Sequence, residues 1–474
     1  MENLTENKPS DPDVNFVFFG CWNNGVCVVN QNNENTHAVK NGVTGTMETL
    51  KKFIEEKDEV NQIIIAGDNY YPDKPSKTNK TIKTDKKQKT INIPDLTSGF
   101  NCLNDAIINK NIEVNILLGN HDVDVGNDYD VIYNSNTENE RKEENQKTNN
   151  NCLILETQNE LIKNNENIKP FRFDVEKTYS IKGDTIIIYL DSSIYDVKTE
   201  GECYVGTFEE KEERNEEETI INFLKKKQIK NSKEIVNIIN KDENKIQNVI
   251  FTAHHPFFGI KIKSDKLKID FMEDFFHLIY NNYLIPINEK NKLCNFFHLC
   301  ADIHNYQKYK INIDGIKIKQ FIVGTGGADK DFFEINEIPN TTENVFFPIN
   351  YKVKIESNNK TIVEIENKDK NEKKTNVEIE SKNKTNVEIE SKNVIININC
   401  VVKEVKNKNG FLHVYYGKNN KLKFEFISAE PPTIKGGKKT KKNTPFYGRR
   451  GRKTNRKYKR RRTLQKRRFL FSKK

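Results

Sequence analysis

No run in this chain approaches the ~18 consecutive apolar residues that a membrane-crossing helix needs; the longest are of the kind TIIIYL at 185–190. A chain embedded in a bilayer by helices is thereby excluded. Cysteine is sparse, 8 in 474 residues, with no Cys-x-x-Cys pair and no zinc-finger spacing, so a disulfide scaffold is not expected and reduced thiols in a cytosol-like, intracellular compartment are. The opening MENLTENKPSDPD lacks a basic stretch followed by an apolar one, and no secretory signal is expected. Acidic residues are missing altogether from 433–474, which hold 20 of the 78 Lys and Arg and leave 58 basic against 68 acidic residues for 1–432. The body is acidic and the tail strongly basic.

Hydrophobic residues make up 35% and charged residues 31%, the composition of a globular protein with much polar loop. Apolar runs at 15–20, 62–66 and 113–118 alternate with segments of helical spacing around Met47 to Ile54 and Cys102 to Ile107, a strand, helix, strand rhythm. A hairpin-like pair follows at 177–182 and 185–190, then a strand at 248–253, a helix near 270–283 and a strand at 295–300. Paired strands are expected at 309–313 and 316–323, meeting at Asp314-Gly315; strand-like sequence returns at 394–406 and 411–427, where NGFLHVYY, a turn-like GKNN and KLKFEFI read as a closing hairpin. Three polar stretches, about 73–95, 134–168 and 350–393, read as surface insertions, which cost little loop-closure entropy. The third carries KTNVEIESKN at 374–383 and again at 384–393, with a degenerate copy at 360–367. An extended hairpin or a disordered segment suits so short a repeat. Residues 1–13 read as a disordered lead, 14–428 as one domain and 429–474 as a disordered tail.

Four apolar strands run directly into clusters of metal-ligand side chains: Gly67-Asp68-Asn69-Tyr70-Tyr71, Gly119-Asn120-His121-Asp122, His254-His255-Pro256 and Asp302-Ile303-His304-Asn305. In an open α/β fold ligands gather beyond the carboxyl ends of strands, so these clusters are expected to converge. Carboxylate, imidazole, phenol and amide oxygen together suit iron, zinc or manganese better than a thiolate-selective ion.

The ordered motifs VFFGCWNNG, AGDNYYPD, LLGNHDVD, TAHHPFFG and CADIHNYQ, with VGTGG and NGFL beyond them, resemble those of the calcineurin-like metallophosphoesterases, most of all the purple acid phosphatase branch that includes the tartrate-resistant acid phosphatases. The resemblance spans about 14–428 apart from the insertions. It implies an α/β fold, a metallophosphoesterase-type β-sandwich of mixed sheets flanked by helices, and two divalent or trivalent metal ions (iron, zinc or manganese). Asp68 would bridge them. Tyr71 and His304 would bind the first ion, and Asn120 and His254 the second. Cys21 stands where the family has an aspartate in the first site, and Asp302 where it has a histidine in the second; a thiol binds only when ionised, so the second site is expected to fill in preference. The implied reaction is hydrolysis of a phosphomonoester by a two-metal-activated water. His121 would serve the leaving oxygen, Asp122 would fix the tautomer of His121, and His255 and Asn120 would contact phosphate. The other reading is a catalytically inactive binding module of the same fold.

His37, His277, His298 and His413 lack neighbouring ligand types and are assigned no chemistry, and EEKEERNEEE at 209–218 reads as a solvated helix start. The tail interleaves Lys and Arg with Phe446, Tyr447, Tyr458, Phe469 and Phe471, a pattern suited to nucleic acid or another polyanion through counterion release and stacking. The Asn/Lys/Ile bias with such a tail resembles the composition of proteins of large DNA viruses.

Overall fold

The computed structural model describes residues 14–22, 43–57, 59–71, 89–107, 110–123, 129–132, 147–148, 152–163, 165–196, 202–204, 218–241, 245–263, 266–327, 351–357, 360–365 and 396–429. The tail beyond 429, the repeats at 374–393 and most of 209–218 lie outside these residues, and so do the expectations placed on them. No helix among the described residues is long and apolar enough to cross a membrane.

The strands are β1 (Asn15–Phe19), β2 (Gln62–Ile65), β3 (Lys89–Asn92), β4 (Glu113–Ile116), β5 (Tyr129–Ile132), β6 (Lys147–Thr148), β7 (Ile168–Pro170), β8 (Tyr179–Lys182), β9 (Thr185–Tyr189), β10 (Asn248–Thr252), β11 (Phe258–Lys263), β12 (Lys266–Phe271), β13 (Asn295–Cys300), β14 (Tyr306–Ile313), β15 (Ile316–Val323), β16 (Tyr351–Ser357), β17 (Lys360–Ile365), β18 (Ile396–Lys406), β19 (Gly410–Tyr416) and β20 (Leu422–Ser428). Two mixed sheets dominate: a six-stranded one ordered β20-β19-β1-β2-β4-β7 and a nine-stranded one ordered β17-β16-β18-β14-β15-β13-β10-β9-β8. In the first, β1, β2, β4 and β7 run parallel; in the second, β9, β10, β13 and β15 do. The central parallel strands are mostly apolar, as strands covered on both faces are: every residue of β1, β2, β9 and β10 is buried. The sheets meet through ring contacts, Phe424 against Phe297 and Phe321 and Tyr306 against Phe426.

Several expectations are corrected. Residues 89–95 are not polar insertion but β3 and the start of the helix Ile93–Ile107, whose Leu96, Phe100, Leu103 and Ile107 are buried at helical spacing. Within 134–168, Leu153–Lys163 is a helix burying Ile154, Leu155, Gln158 and Ile162. Within 350–393, by contrast, the antiparallel pair β16–β17 agrees with the extended hairpin expected there, residues 360–365 of the degenerate copy forming its second strand. The expected helix near 270–283 begins only at Glu273, after β12. The long helix Ile220–Ile239 starts at Thr219, whose side chain caps Asn222 N at 3.4 Å. Cys152 and Cys203 form a disulfide, so the expectation of uniformly reduced thiols fails for this pair. They are 51 residues apart, and spacing alone cannot reveal such a partner.

The β11–β12 hairpin bears on the site. Its signal, Ile260-Lys261-Ile262-Lys263 and Lys266-Leu267-Lys268-Ile269, is a period-two alternation in both strands. Phe258 and Phe271 stack across its base, centroids 4.9 Å apart. Two buried glutamines hold its first strand: Gln320 accepts from Phe257 N at 2.8 Å and donates to Phe258 O at 2.6 Å. Gln307 accepts from Ile260 N at 3.2 Å and donates to Ile260 O at 2.7 Å. Their amides do what a neighbouring strand would otherwise do. Gln320→Leu would strand a buried N–H and a buried C=O, each costing roughly 1–3 kcal/mol. Urea unfolding is expected to show that loss, and a variant within about 0.5 kcal/mol of the parent would refute the clamp.

Candidate metal centre

Every candidate ligand follows the carboxyl end of a parallel strand. Cys21 lies beyond β1, Asp68 and Tyr71 beyond β2, Asn120 to Asp122 beyond β4, His254 and His255 beyond β10, and Asp302 and His304 beyond β13. Cys21, Asp68 and Asp302 have φ of 53°, 51° and 51°, a left-handed backbone that costs a side-chain-bearing residue roughly 1–2 kcal/mol. Strain of this kind persists where surrounding contacts over-determine it. Gly67 and Gly119 permit the closest approach, since a Cβ on Gly67 would meet Gly119 N at 2.3 Å and one on Gly119 would meet Asp68 N at 2.3 Å. The loops after β2 and β4 therefore touch backbone to backbone.

Asp68 sits at the centre, 1% exposed. Its Oδ2 accepts from the Tyr71 hydroxyl at 2.7 Å and lies 3.9 Å from Cys21 Sγ. Tyr71 in turn is 3.1 Å from His304 Nε2. The Asp68 Oδ1 accepts from His121 N at 3.0 Å and faces His254 Nε2 at 3.3 Å. His254 Nε2 is also 3.1 Å from Asn120 Oδ1 and 3.9 Å from Asp302 Oδ1. One carboxylate thus turns an oxygen to each of two clusters. Ligand atoms of Cys21, Asp68 and His304, and of His254, His255 and Asp302, lie within 4.8 Å of one another in each group. Donors around an ion at ~2.0–2.3 Å stand roughly 3–4 Å apart, so either set could hold one by closing by about 1 Å at most.

The orientation of His254 strengthens the fit. Its Nδ1 is 2.6 Å from Ala66 O; a proton there leaves Nε2 as the nitrogen aimed at the oxygens, the usual arrangement of a ligating imidazole. Burial disfavours charge on this ring, but Asp68 and Asp302 outweigh it and raise its pKa to about 9. Burial likewise pushes Asp68 up, yet His254 and His121 hold it well below the usual carboxylate range. Burial and then Asp68 raise both the Cys21 thiol and the Tyr71 phenol well above their ordinary values. The first cluster without an ion therefore keeps its S–H and O–H protons.

Asp302 is pushed up by burial but held below the carboxylate range by Lys261, His255 and His254. Its Oδ2 accepts from Lys261 Nζ at 3.2 Å, and Lys261 also reaches Asp270 Oδ2 at 2.8 Å. Sequence reasoning overlooked Lys261, which lies on β11. His255 packs its ring 4.7 Å from that of His254 and places Nδ1 2.9 Å from Ser192 Oγ. Burial and His254 lower its pKa to about 4. It belongs with the second cluster as well as with the cleft wall.

Asp122 has a different job from the one expected. Its oxygens accept from Asn69 N, Asn69 Nδ2, Gly119 N and Gln158 Nε2 at 2.9, 3.0, 2.8 and 2.8 Å. None of these bonds goes to the His121 ring, whose buried Nδ1 has no partner among the described residues. Asp122 is a clamp joining the loops after β2 and β4 to the helix Leu153–Lys163. The His121 ring lies 4.8 Å from that of Tyr71. Of the histidines assigned no chemistry, His298 bonds Gln320 at 3.2 Å, His413 bonds Asn15 at 2.8 Å and His277 is 3.7 Å from Glu273.

A cleft of about 550 Å³ opens beside the second cluster, walled by Asn120, His255, Lys261 and Asp302 together with Tyr195 and Phe271. Behind it, buried Asp191 accepts from Tyr204 OH at 2.7 Å and Ser193 N at 2.8 Å, and burial raises its pKa to about 6. A carboxyl with a raised pKa binds more proton in the folded than in the unfolded state, so its contribution to stability falls as pH rises from about 4 to 6. Asn resembles the neutral acid. Asp191→Asn is expected to remove on the order of 2–3 kcal/mol of that decline, read from urea unfolding at pH 4 to 7; identical pH slopes in variant and parent would show that Asp191 ionises normally.

No protein-family model and no curated protein matches this chain. Among solved structures it is similar to GAP50, described as the anchor in the inner membrane complex of Plasmodium, at a TM-score of 0.37 and 9% identity over 90% of this chain and 87% of that one.

Proposed function

We propose that the chain is a metal-dependent phosphoesterase of the calcineurin-like metallophosphoesterase type, closest to the purple acid phosphatase branch, and that it hydrolyses phosphomonoesters. The observation that carries this reading is Asp68, whose two oxygens face separate ligand clusters. Cys21, Asp68, Tyr71 and His304 would hold the first ion; Asp68, Asn120, His254 and Asp302 the second, with His255 beside them. Ions bound there supply Lewis acidity toward phosphoryl oxygens and acidify water. Asn120 and His255, on the cleft wall, orient the phosphoryl group. His121, anchored through its backbone N–H to Asp68, gives a proton to the leaving oxygen. The second cluster fills in preference, because Cys21 must lose a firmly held proton before it can bind.

The other reading, an inactive binding module whose tail engages nucleic acid or another polyanion, draws support from the same thiol. A buried Cys21 with a raised pKa serves as a packing residue as readily as a ligand.

Zinc or manganese at 100-fold over its dissociation constant is expected to stabilise the protein by about 2.7 kcal/mol, seen as a higher melting temperature that His254→Ala abolishes. A parent that neither takes up metal nor shifts its melting point would leave only the inherited fold. His121→Ala is expected to keep its metal and lose ~10²–10⁴-fold in kcat on a chromogenic phosphomonoester; unchanged turnover would remove His121 from the mechanism. Cys21→Asp combined with Asp302→His is expected to raise turnover, and a fully metal-loaded double variant with no gain would place any defect in the cleft.

A further inference from the structure

The cleft is hostile to an anion. Asp196, Asp270, Glu273, Asp274 and Asp302 all line it, and the one cation among the described lining residues is Lys261. A phosphoester dianion brought to His255 and Asn120 would meet five carboxylates, and like charges at short range in a partly dry cleft repel strongly. The ammonium that offsets them is placed by the hairpin. Register pairs Gly259 with Asp270 and Lys261 with Lys268, so Lys261 and Asp270 are diagonal neighbours on one face of β11–β12, within reach of a long side chain. The strand backbone at Phe258 and Ile260 is held by Gln320 and Gln307, which fixes where the lysine stem starts.

The split of Asp302 is the second observation. Its Oδ1 is turned to His254 Nε2 at 3.9 Å, and its Oδ2 takes Lys261 at 3.2 Å. Lys261 therefore leaves the cluster-facing oxygen available and stands one carboxylate away from it, on the cleft side, with its side chain 24% exposed. A flexible four-carbon stem lets an ammonium exchange one oxyanion partner for another while remaining charged.

Resting on the proposed phosphoesterase reading, we infer that Lys261 forms an oxyanion subsite with Asn120 and His255: it binds the phosphoryl oxygens of substrate and product directly, moving from Asp270 toward the phosphate while Asp302 stays with the second cluster. Asp270 is its resting partner.

The test is calorimetric titration of inorganic phosphate into the full chain loaded with zinc, with zinc content measured on the same samples. Lys261→Met is expected to keep its zinc and bind phosphate at least tenfold more weakly, with KM for a chromogenic phosphomonoester rising by a similar factor and kcat changing less than threefold. Lys261→Arg, which keeps the charge, is expected to stay within about threefold of the parent in phosphate affinity. Unchanged phosphate affinity in Lys261→Met overturns the subsite while leaving the phosphoesterase reading intact. Loss of zinc together with phosphate also overturns it, because Lys261 would then only hold Asp302 in place. A parent that takes up no zinc overturns the phosphoesterase reading and this inference together, an outcome the zinc measurement separates from the others.

Discussion

Burying one carboxylate where two sheets meet is the constraint on which the site depends. Asp68 is fully enclosed, and an unpaired charge there would cost several kcal/mol. What meets it comes from separate strand ends: the Tyr71 hydroxyl from its own loop, the His121 N–H from the loop after β4, the Cys21 thiol from the loop after β1, and His254 from the other sheet. Each of these groups reaches Asp68 only if its strand ends at the right height. Register within both sheets and their mutual placement are therefore tied to one side chain, and the left-handed backbone at Cys21, Asp68 and Asp302 is the local cost of bringing the loops that close.

The polar groups around this centre divide by what they satisfy. Asp122 spends its four bonds on loop amides and Gln158, and Gln307 and Gln320 spend theirs on the backbone of residues 257–260. These side chains substitute for missing strand neighbours, and buried backbone groups would otherwise go unpaired. His254 does both kinds of work. Its Nδ1 ties the second sheet to Ala66 of the first, and its Nε2 faces three oxygens. Rigidity and ligand geometry come from the same hydrogen bond.

The strand ends were legible because a buried parallel strand is a short apolar run, and a cluster such as Gly67-Asp68-Asn69 interrupts it visibly. The turn at Asp314-Gly315 was legible for a local reason too: both residues have positive φ, at 46° and 90°, which a two-residue hairpin turn requires. The helix Leu153–Lys163 was obscured by the Asn- and Lys-rich sequence around it, although Ile154, Leu155, Gln158 and Ile162 mark its buried face. The partner of Asp122, the Cys152–Cys203 pair and the reach of Lys261 into the cleft are long-range facts. Side-chain type suggested chemistry at Asp122, but which atoms compete for its oxygens depends on a helix more than thirty residues away.

Lys261 divides its charge between Asp302 and Asp270, so cations only partly offset the carboxylates of the site. Asp68 and Asp302 are held as carboxylates, while His254, with its raised pKa, and Lys261 stand against them as cations. Burial would not tolerate the two carboxylates alone. A metal ion bound here would therefore compete with the His254 proton and the Lys261 ammonium for the same carboxylates. To serve as ligands, His254 would give up the proton on Nε2 at the second cluster, and Cys21 and, as a phenolate, Tyr71 would give up theirs at the first. Metal uptake would in this sense be a proton exchange, with apparent affinity rising as pH rises. The two clusters differ in how hard that exchange is: one imidazolium proton at the second, against thiol and phenol protons held well above their ordinary pKa values at the first. On the proposed reading, protonation favours the second cluster, and Asp68, with one oxygen toward each cluster, would couple the two.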